Sequence, residues 1–446
     1  MFKRKVMSEL VEWKEKYGLS YAALIEGARR VGKSTVAEEF AKNNFRSYIK
    51  VDFSNITKEM ESIFDDISNI DIFFLRLQAY TRVTLYVHES VLIFDEIQLA
   101  PKVRQAIKHL VKDGRYYYIE TGSFISIKKN IQNIVIPSEE HRIQMFPLDY
   151  EEFCWATDNE SYNMVRELYS LNRPVGNGVN NKLMRDFRIY MAVGGMPQAV
   201  EAYINGKNFE EIDRVKREII ELYKNDLRRI DPSGSLSLLY DAIPSQLALH
   251  KNRFILSSAL GKRTTRGHYE LLAELLGSKT VNICYNVTDP SITLSASKDL
   301  TQFKLYPADI GIFTTMIFKN EKETSNNIYS KLLSDKLEAN LGYLYESVVA
   351  QLIRSSGREL YYHTWDKEKG NRKYEIDFLI SSGSKIIPIE VKSSNVNNHD
   401  SINAFFEKYK RIIIRLYLLS QKDVSHVDQL LFKPIYMLPY ILESQS

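Results

Sequence analysis

Lys33, Ser34, Asp95 and Glu96 are the residues whose types and spacing carry the clearest chemistry. The first two close the run Gly27-Ala28-Arg29-Arg30-Val31-Gly32-Lys33-Ser34-Thr35, which fits G-x-x-x-x-G-K-[ST]. The two glycines let the backbone turn tightly enough for successive N–H groups to face phosphate oxygens. The lysine then reaches the β- and γ-phosphates, and the serine hydroxyl becomes a Mg²⁺ ligand. An apolar run, residues 21–25, precedes the loop and a helix-like stretch, residues 36–43, follows it. Strand, glycine-rich loop and helix in that order read as a nucleotide-binding P-loop.

Residues 91–94 are continuously apolar, the pattern of a strand buried on both faces, and Asp95-Glu96 stand at its C-terminal end. Ligands bind at that end of the strands in open α/β sheets. Asp95 is expected to hold Mg²⁺, directly or through water, and Glu96 to orient and deprotonate the attacking water. Away from a P-loop the same pair reads as an acidic helix cap. Two readings stand for Thr121 and Ser123, at the end of the neighbouring strand: a hydroxyl that senses the γ-phosphate, or ordinary turn residues. No Asn-Lys-x-Asp tetrapeptide for guanine is present, so ATP is the expected nucleotide. Arg142, in cis or toward a second copy, is a candidate arginine finger; Arg29 and Arg30 are alternatives within the loop.

A second group lies near the C-terminus. Residues 374–380 and 385–392 read as two strands, and period-2 alternation puts Glu390 and Lys392 on one face. Asp377 and Glu390 can hold Mg²⁺ while Lys392 stabilises charge or lowers the pKa of an attacking water, which is what metal-assisted phosphodiester cleavage requires. Glu346, on a helix expected over residues 331–355 with Leu341, Leu344, Val348 and Val349, is a further candidate ligand. An acidic residue two before a lysine is also common on any exposed strand.

The elements that must position these groups follow from length and pattern. A chain of 446 residues exceeds one core, so two to four domains are expected. Strands are expected at 22–25, 47–53, 91–94, 115–120 and 142–146, alternating with helices: a parallel sheet covered by helices over residues 1–150. Residues 151–232 read as a helical lid or connector. Residues 233–327 read as helices followed by a hairpin near 281–286 and 303–306, an order that suggests a winged helix, ending in a polar linker at 321–327. Residues 328–446 read as a separate α/β domain. With 60 Lys+Arg against 56 Asp+Glu, any basic surface is local; Lys262-Arg263-Thr264-Thr265-Arg266-Gly267-His268 is the candidate for DNA phosphate contact. Cys154 and Cys284 have no metal-ligand spacing, which fits a reduced, cytoplasmic setting. The N-terminal segment lacks the apolar region of a signal peptide, and no apolar run of about 18 residues predicts a membrane span.

In order along the chain stand the P-loop, Asp95-Glu96-Ile97-Gln98, Thr121-Gly122-Ser123, Phe146-Pro147-Leu148 with Glu151-Glu152-Phe153, Gly194-Gly195-Met196-Pro197, Lys304-Leu305-Tyr306 and Glu390-Val391-Lys392. In these the chain resembles the prokaryotic AAA-type ATPases with a C-terminal domain of unknown function. The resemblance implies an AAA-type P-loop core, a winged-helix segment and a C-terminal domain similar to PD-(D/E)xK restriction-endonuclease-like folds. It matches Glu346, Asp377, Glu390 and Lys392 to that nuclease pattern. ATP and Mg²⁺ are the expected cofactors and DNA is the partner that the basic segment suggests, while a homo-oligomer stands open because AAA-type relatives often assemble. Where the family usually carries Gly-Arg, this chain has His141-Arg142.

Overall fold

The computed structural model describes the chain except for residues 124–134, 207, 250–251, 262, 264, 319–325, 335–341, 368–372, 394–395, 398 and 445–446. The expected basic residue Lys262, most of the 321–327 linker and Leu341 therefore lie outside the described residues. The rest forms two units: Met1–Phe146 with Glu270–Lys279, and Pro147–Tyr269 with Thr280–Ser446.

In the first unit the expected alternation of strands and helices builds one parallel sheet. Its strands are β1 (Ala22–Glu26), β2 (Ser47–Asp52), β3 (Ser90–Asp95), β4 (Tyr117–Gly122) and β5 (Glu140–Gln144), in the order β2-β3-β4-β1-β5. Every residue of β1 and β3 is buried, the consequence of helices on both faces. Leu92, Phe94, Phe73, Phe74 and Ile107 share one core cluster. Because β1 sits between β4 and β5, the loop after β1 opens at a switch point of the strand order, where such sheets bind ligands. The short segment 270–279 belongs to this unit although it is distant in sequence: Lys279 Nζ lies 3.6 Å from Glu26 Oε1, on the last residue of β1.

The second unit is helical from Tyr150–Ala156 to Phe209–Ile230. Its eight-stranded mixed sheet comprises β6 (Val281–Val287), β7 (Lys298–Pro307), β8 (Leu360–Asp366), β9 (Lys373–Ser382), β10 (Lys385–Val391), β11 (Leu416–Ser420), β12 (Ser425–Val427) and β13 (Leu430–Pro434). The order is β12-β13-β11-β10-β9-β8-β6-β7. The expected domain boundary near residue 327 falls between strands of this one sheet. The β6–β7 hairpin, expected as the wing of a separate domain, extends the C-terminal sheet, with β6 parallel to β8 at Cys284↔Leu360. The reason is burial: Val281, Asn282, Cys284, Asn286 and Val287 are all buried, and a free two-stranded wing cannot cover both faces of a strand. The helix expected over 331–355 is described as Asn326–Leu333 and Gly342–Ser355. Among the described residues no helix is long and apolar enough to cross a membrane.

Candidate nucleotide site and C-terminal carboxylate cluster

The P-loop geometry follows from its two glycines. A Cβ at Gly27 would stand 2.2 Å from the Met145 carbonyl, so only glycine lets the chain leave β1 this close to the end of β5. Gly32 has φ 98°, in the left-handed region, and turns the chain into helix Lys33–Asn44. Arg30 also has a positive φ of 71°. Lys33 is buried, and its Nζ donates to the carbonyls of Gly27 at 3.1 Å and Ala28 at 2.9 Å, a ring closed within the loop itself. Burial pushes its pKa down to about 8, against the pull of Glu96 and Asp95, with Arg29 adding to the fall.

Three chain segments meet at Asp95. Ser34 Oγ, in the first turn of the helix, donates to Asp95 Oδ1 at 2.7 Å, and Thr121 Oγ1, on β4, donates to the same oxygen. Lys50, on β2, approaches the other oxygen, Oδ2, at 3.5 Å and pairs with Glu38 at 3.1 Å. The register that pairs Asp52 with Asp95, and the placement of β4 between β1 and β3, bring these groups together. Glu96 follows with φ 55° and ψ 46°, a left-handed backbone for a non-glycine residue, and accepts from Gln98 Nε2. Such backbone costs on the order of 1–3 kcal/mol and clusters at functional sites. Ser123 is buried beyond Thr121, and Thr35 is exposed in the first helical turn. Two oxygen donors facing each other at hydrogen-bond distance, Ser34 and Asp95, fit a hard cation such as Mg²⁺.

Arg142 is not brought to this cluster. It stands opposite Leu24 within β5, and its guanidinium is 3.8 Å from Glu140 Oε2, so the expected finger is described as half of a strand-face ion pair. Arg29 is the arginine whose charge reaches Lys33. One contributor had no local signal in the sequence. Arg4 is 6% exposed and donates to the P-loop carbonyl of Val31 at 3.0 Å and to the Phe146 carbonyl at 2.6 Å.

In the second unit, Glu346 comes from helix Gly342–Ser355, Asp377 and Glu375 from β9, Glu390 from β10 and Lys392 from the residue after it. They share one neighbourhood: burial, then Glu346 and Glu390, raise the Asp377 carboxyl well above the ordinary range. Each of these carboxylates already has a partner on at least one oxygen. Asp377 Oδ2 accepts from the Val391 N–H at 2.7 Å, and Lys392 Nζ pairs with Glu390 Oε1 at 2.7 Å. Lys304, on β7 and 5% exposed, bonds Glu375 and lies 3.6 Å from Glu346 Oε2. Among the described residues no group of three or more His, Cys, Asp or Glu side chains is arranged to hold a metal ion. The expected Mg²⁺ ligands Glu346, Asp377 and Glu390 each have a protein partner in this arrangement. Alternation along β7 places Lys304 on the same face as Tyr306, whose hydroxyl donates to Glu346 at 3.3 Å.

Residues 20–154 match a family described as an AAA domain. Residues 184–323 and 341–435 match two described as domains of unknown function, DUF8612 and DUF4143. No curated protein matches the chain. Among solved structures the chain is similar to a Signal Transduction ATPase with Numerous Domains protein with a tetratricopeptide repeat sensor from Pyrococcus horikoshii. The identity is 12%, over 79% of this chain and 48% of that one, with a TM-score of 0.29. The RuvB Holliday junction branch migration motor of Thermotoga maritima is 14% identical over 62% of this chain and 87% of its own, at a TM-score of 0.28. A Vibrio cholerae protein is 10% identical over 90% and 97%, at 0.20. The chain spans about half the length of the Pyrococcus protein. The P-loop unit is thus of AAA type, an ATP-binding class.

Proposed function

We propose that this chain is a Mg²⁺-dependent ATP hydrolase whose C-terminal unit recognises a partner and does not cut nucleic acid. The observation that carries the first part is the convergence of Ser34 and Thr121 on one oxygen of Asp95, beside a P-loop already folded around Lys33. Backbone N–H groups of residues 28–34 take the phosphates, and Lys33 exchanges its bonds to Gly27 and Ala28 for phosphate oxygens. Ser34 and Asp95 would hold Mg²⁺, which neutralises charge on the transferring phosphoryl group when bound. Glu96 takes the proton of the attacking water, Thr121 and Ser123 line the γ-phosphate end, and Arg29 serves as the cationic partner in place of Arg142. The reading is tested by ATP turnover in wild type and Lys33→Ala, with Mg²⁺ and with EDTA. Turnover that survives either change refutes it.

For the C-terminal unit, the presence of Glu346 on a helix, Asp377 and Glu390 on two strands and Lys392 just after the second supports a nuclease-like build. The engagement of those carboxylates by Lys304, Lys392 and Val391 favours recognition over cleavage. DNA is the partner to test first. Plasmid DNA that stimulates ATP turnover and stays uncut agrees with this reading, and degradation lost in Asp377→Ala contradicts it.

A further inference from the structure

We propose that Lys304 is the resident cation of the C-terminal carboxylate cluster, seated where a nuclease-like site would take a divalent metal, so that the cluster binds metal only once this ammonium is removed. Four carboxylates, Glu346, Glu375, Asp377 and Glu390, are gathered in the second unit with two lysines among them. Lys304 is the deeper of the two lysines, with its side chain 7% exposed against 30% for Lys392. Its ammonium bonds Glu375, stands 3.6 Å from Glu346 and lies 5.2 Å from the centre of the Tyr362 ring, which offers it a π face. Tyr306 holds Glu346 in place from the same strand. An ammonium with hydrogen-bonding oxygens spaced around it cannot share them with a hard dication, which draws oxygens to about 2.1 Å and repels a neighbouring positive charge.

A second observation lies at Glu390, where one buried carboxylate oxygen has no hydrogen-bond partner. Glu390 is 4% exposed, Lys392 satisfies one of its oxygens, and Oε2 is buried without a hydrogen-bond partner. Buried carboxylate oxygens are normally paired. Lys304 therefore balances the Glu346–Glu375 side, and an oxygen at Glu390 remains that a metal could use if the balance were broken. The inference extends the recognition reading of the C-terminal unit and is independent of the nucleotide site.

The test uses the full chain carrying Asp95→Asn, without nucleotide, so that the carboxylate proposed to hold metal at the P-loop does not contribute Mn²⁺ binding. Mn²⁺ titrations followed by the electron paramagnetic resonance of the free ion are expected to give no binding that depends on Asp377 while Lys304 is present. Lys304→Met is expected to gain one Mn²⁺ per chain, with affinity at least tenfold above background, and Lys304→Met/Asp377→Asn to lose it. Asp377-dependent Mn²⁺ binding with Lys304 intact overturns the proposal, and this arm does not depend on whether Lys304→Met folds. So does the absence of a gain in Lys304→Met whose circular dichroism matches the parent.

Discussion

Ser34 and Asp95, 61 positions apart, are joined by a 2.7 Å hydrogen bond that spans from the first turn after the P-loop to the end of β3. These are the two residues that would hold Mg²⁺ in the proposed hydrolase. Asp95→Asn removes the charge but keeps the shape. It is expected to weaken nucleotide binding about 10-fold or more in Mg²⁺, the scale of losing a group that supports a metal, and to leave binding in EDTA unchanged. Calorimetric titration with and without the metal separates the two.

Arg4 ties the Val31 carbonyl in the P-loop to the Phe146 carbonyl after β5. Hydrogen bonds from charged groups contribute about 1.5–3 kcal/mol each. Arg4→Ala is expected to weaken ATP binding about 10-fold by freeing the loop, and Arg4→Lys, which can reach one carbonyl, to recover part of it. A purely structural role would lower the unfolding temperature and leave the affinity of the folded protein unaltered.

The affinity for nucleotide is expected to depend on pH through Lys33. Its folded-state pKa is lowered to about 8 from the ordinary 10.5, chiefly by burial. Phosphates bind the charged ammonium and raise its pKa again, so above pH 8 binding must take up a proton. Affinity is then flat below pH 8 and falls by up to about tenfold per unit above it. Titrations at pH 7 and 9 in buffers of different ionisation enthalpy give both the loss and the proton count.

Arg104 and Glu140 form a bidentate pair at 2.8 and 2.9 Å with side chains 1% and 2% exposed. Arg104→Met strands a buried carboxylate and is expected to cost about 3–5 kcal/mol, whereas the double change with Glu140→Met costs less. The neighbouring Glu120 carboxyl is raised well above its ordinary value of 4.5, first by burial and then by Glu140, while Arg104 opposes the rise. A carboxyl with a raised folded-state pKa favours folding at low pH and loses that contribution as pH climbs above the ordinary value. Removing Arg104 steepens this loss, so the penalty measured by urea unfolding is larger at pH 8 than at pH 5.

The first unit was legible where chemistry and periodicity coincide. Gly27, Gly32, Lys33 and Ser34 sit at fixed spacing, and residues 91–94 are apolar without interruption because both faces of β3 are covered. What the sequence did not reveal are partners supplied across the fold: Arg4, Lys50 and Lys279 carry no local pattern that points to Val31, Asp95 or Glu26. In the second unit alternation alone puts Asp377 and Glu390 on strands, with Lys392 one residue past the end of β10. Their occupancy does not follow from it, since it depends on Lys304 from a hairpin whose pairing with β8 is a long-range choice. A lysine two before a tyrosine reads as the exposed face of a strand until the sheet around it is known.

The central claim is that Glu96, held in a left-handed backbone beside Asp95, deprotonates the water that attacks ATP. Single-turnover hydrolysis of Mg·ATP by Glu96→Gln tests it most directly, alongside a nucleotide titration of the same protein. Binding within a few-fold of wild type and hydrolysis slowed about 10²-fold or more are expected. Hydrolysis at the wild-type rate with nucleotide bound would contradict it.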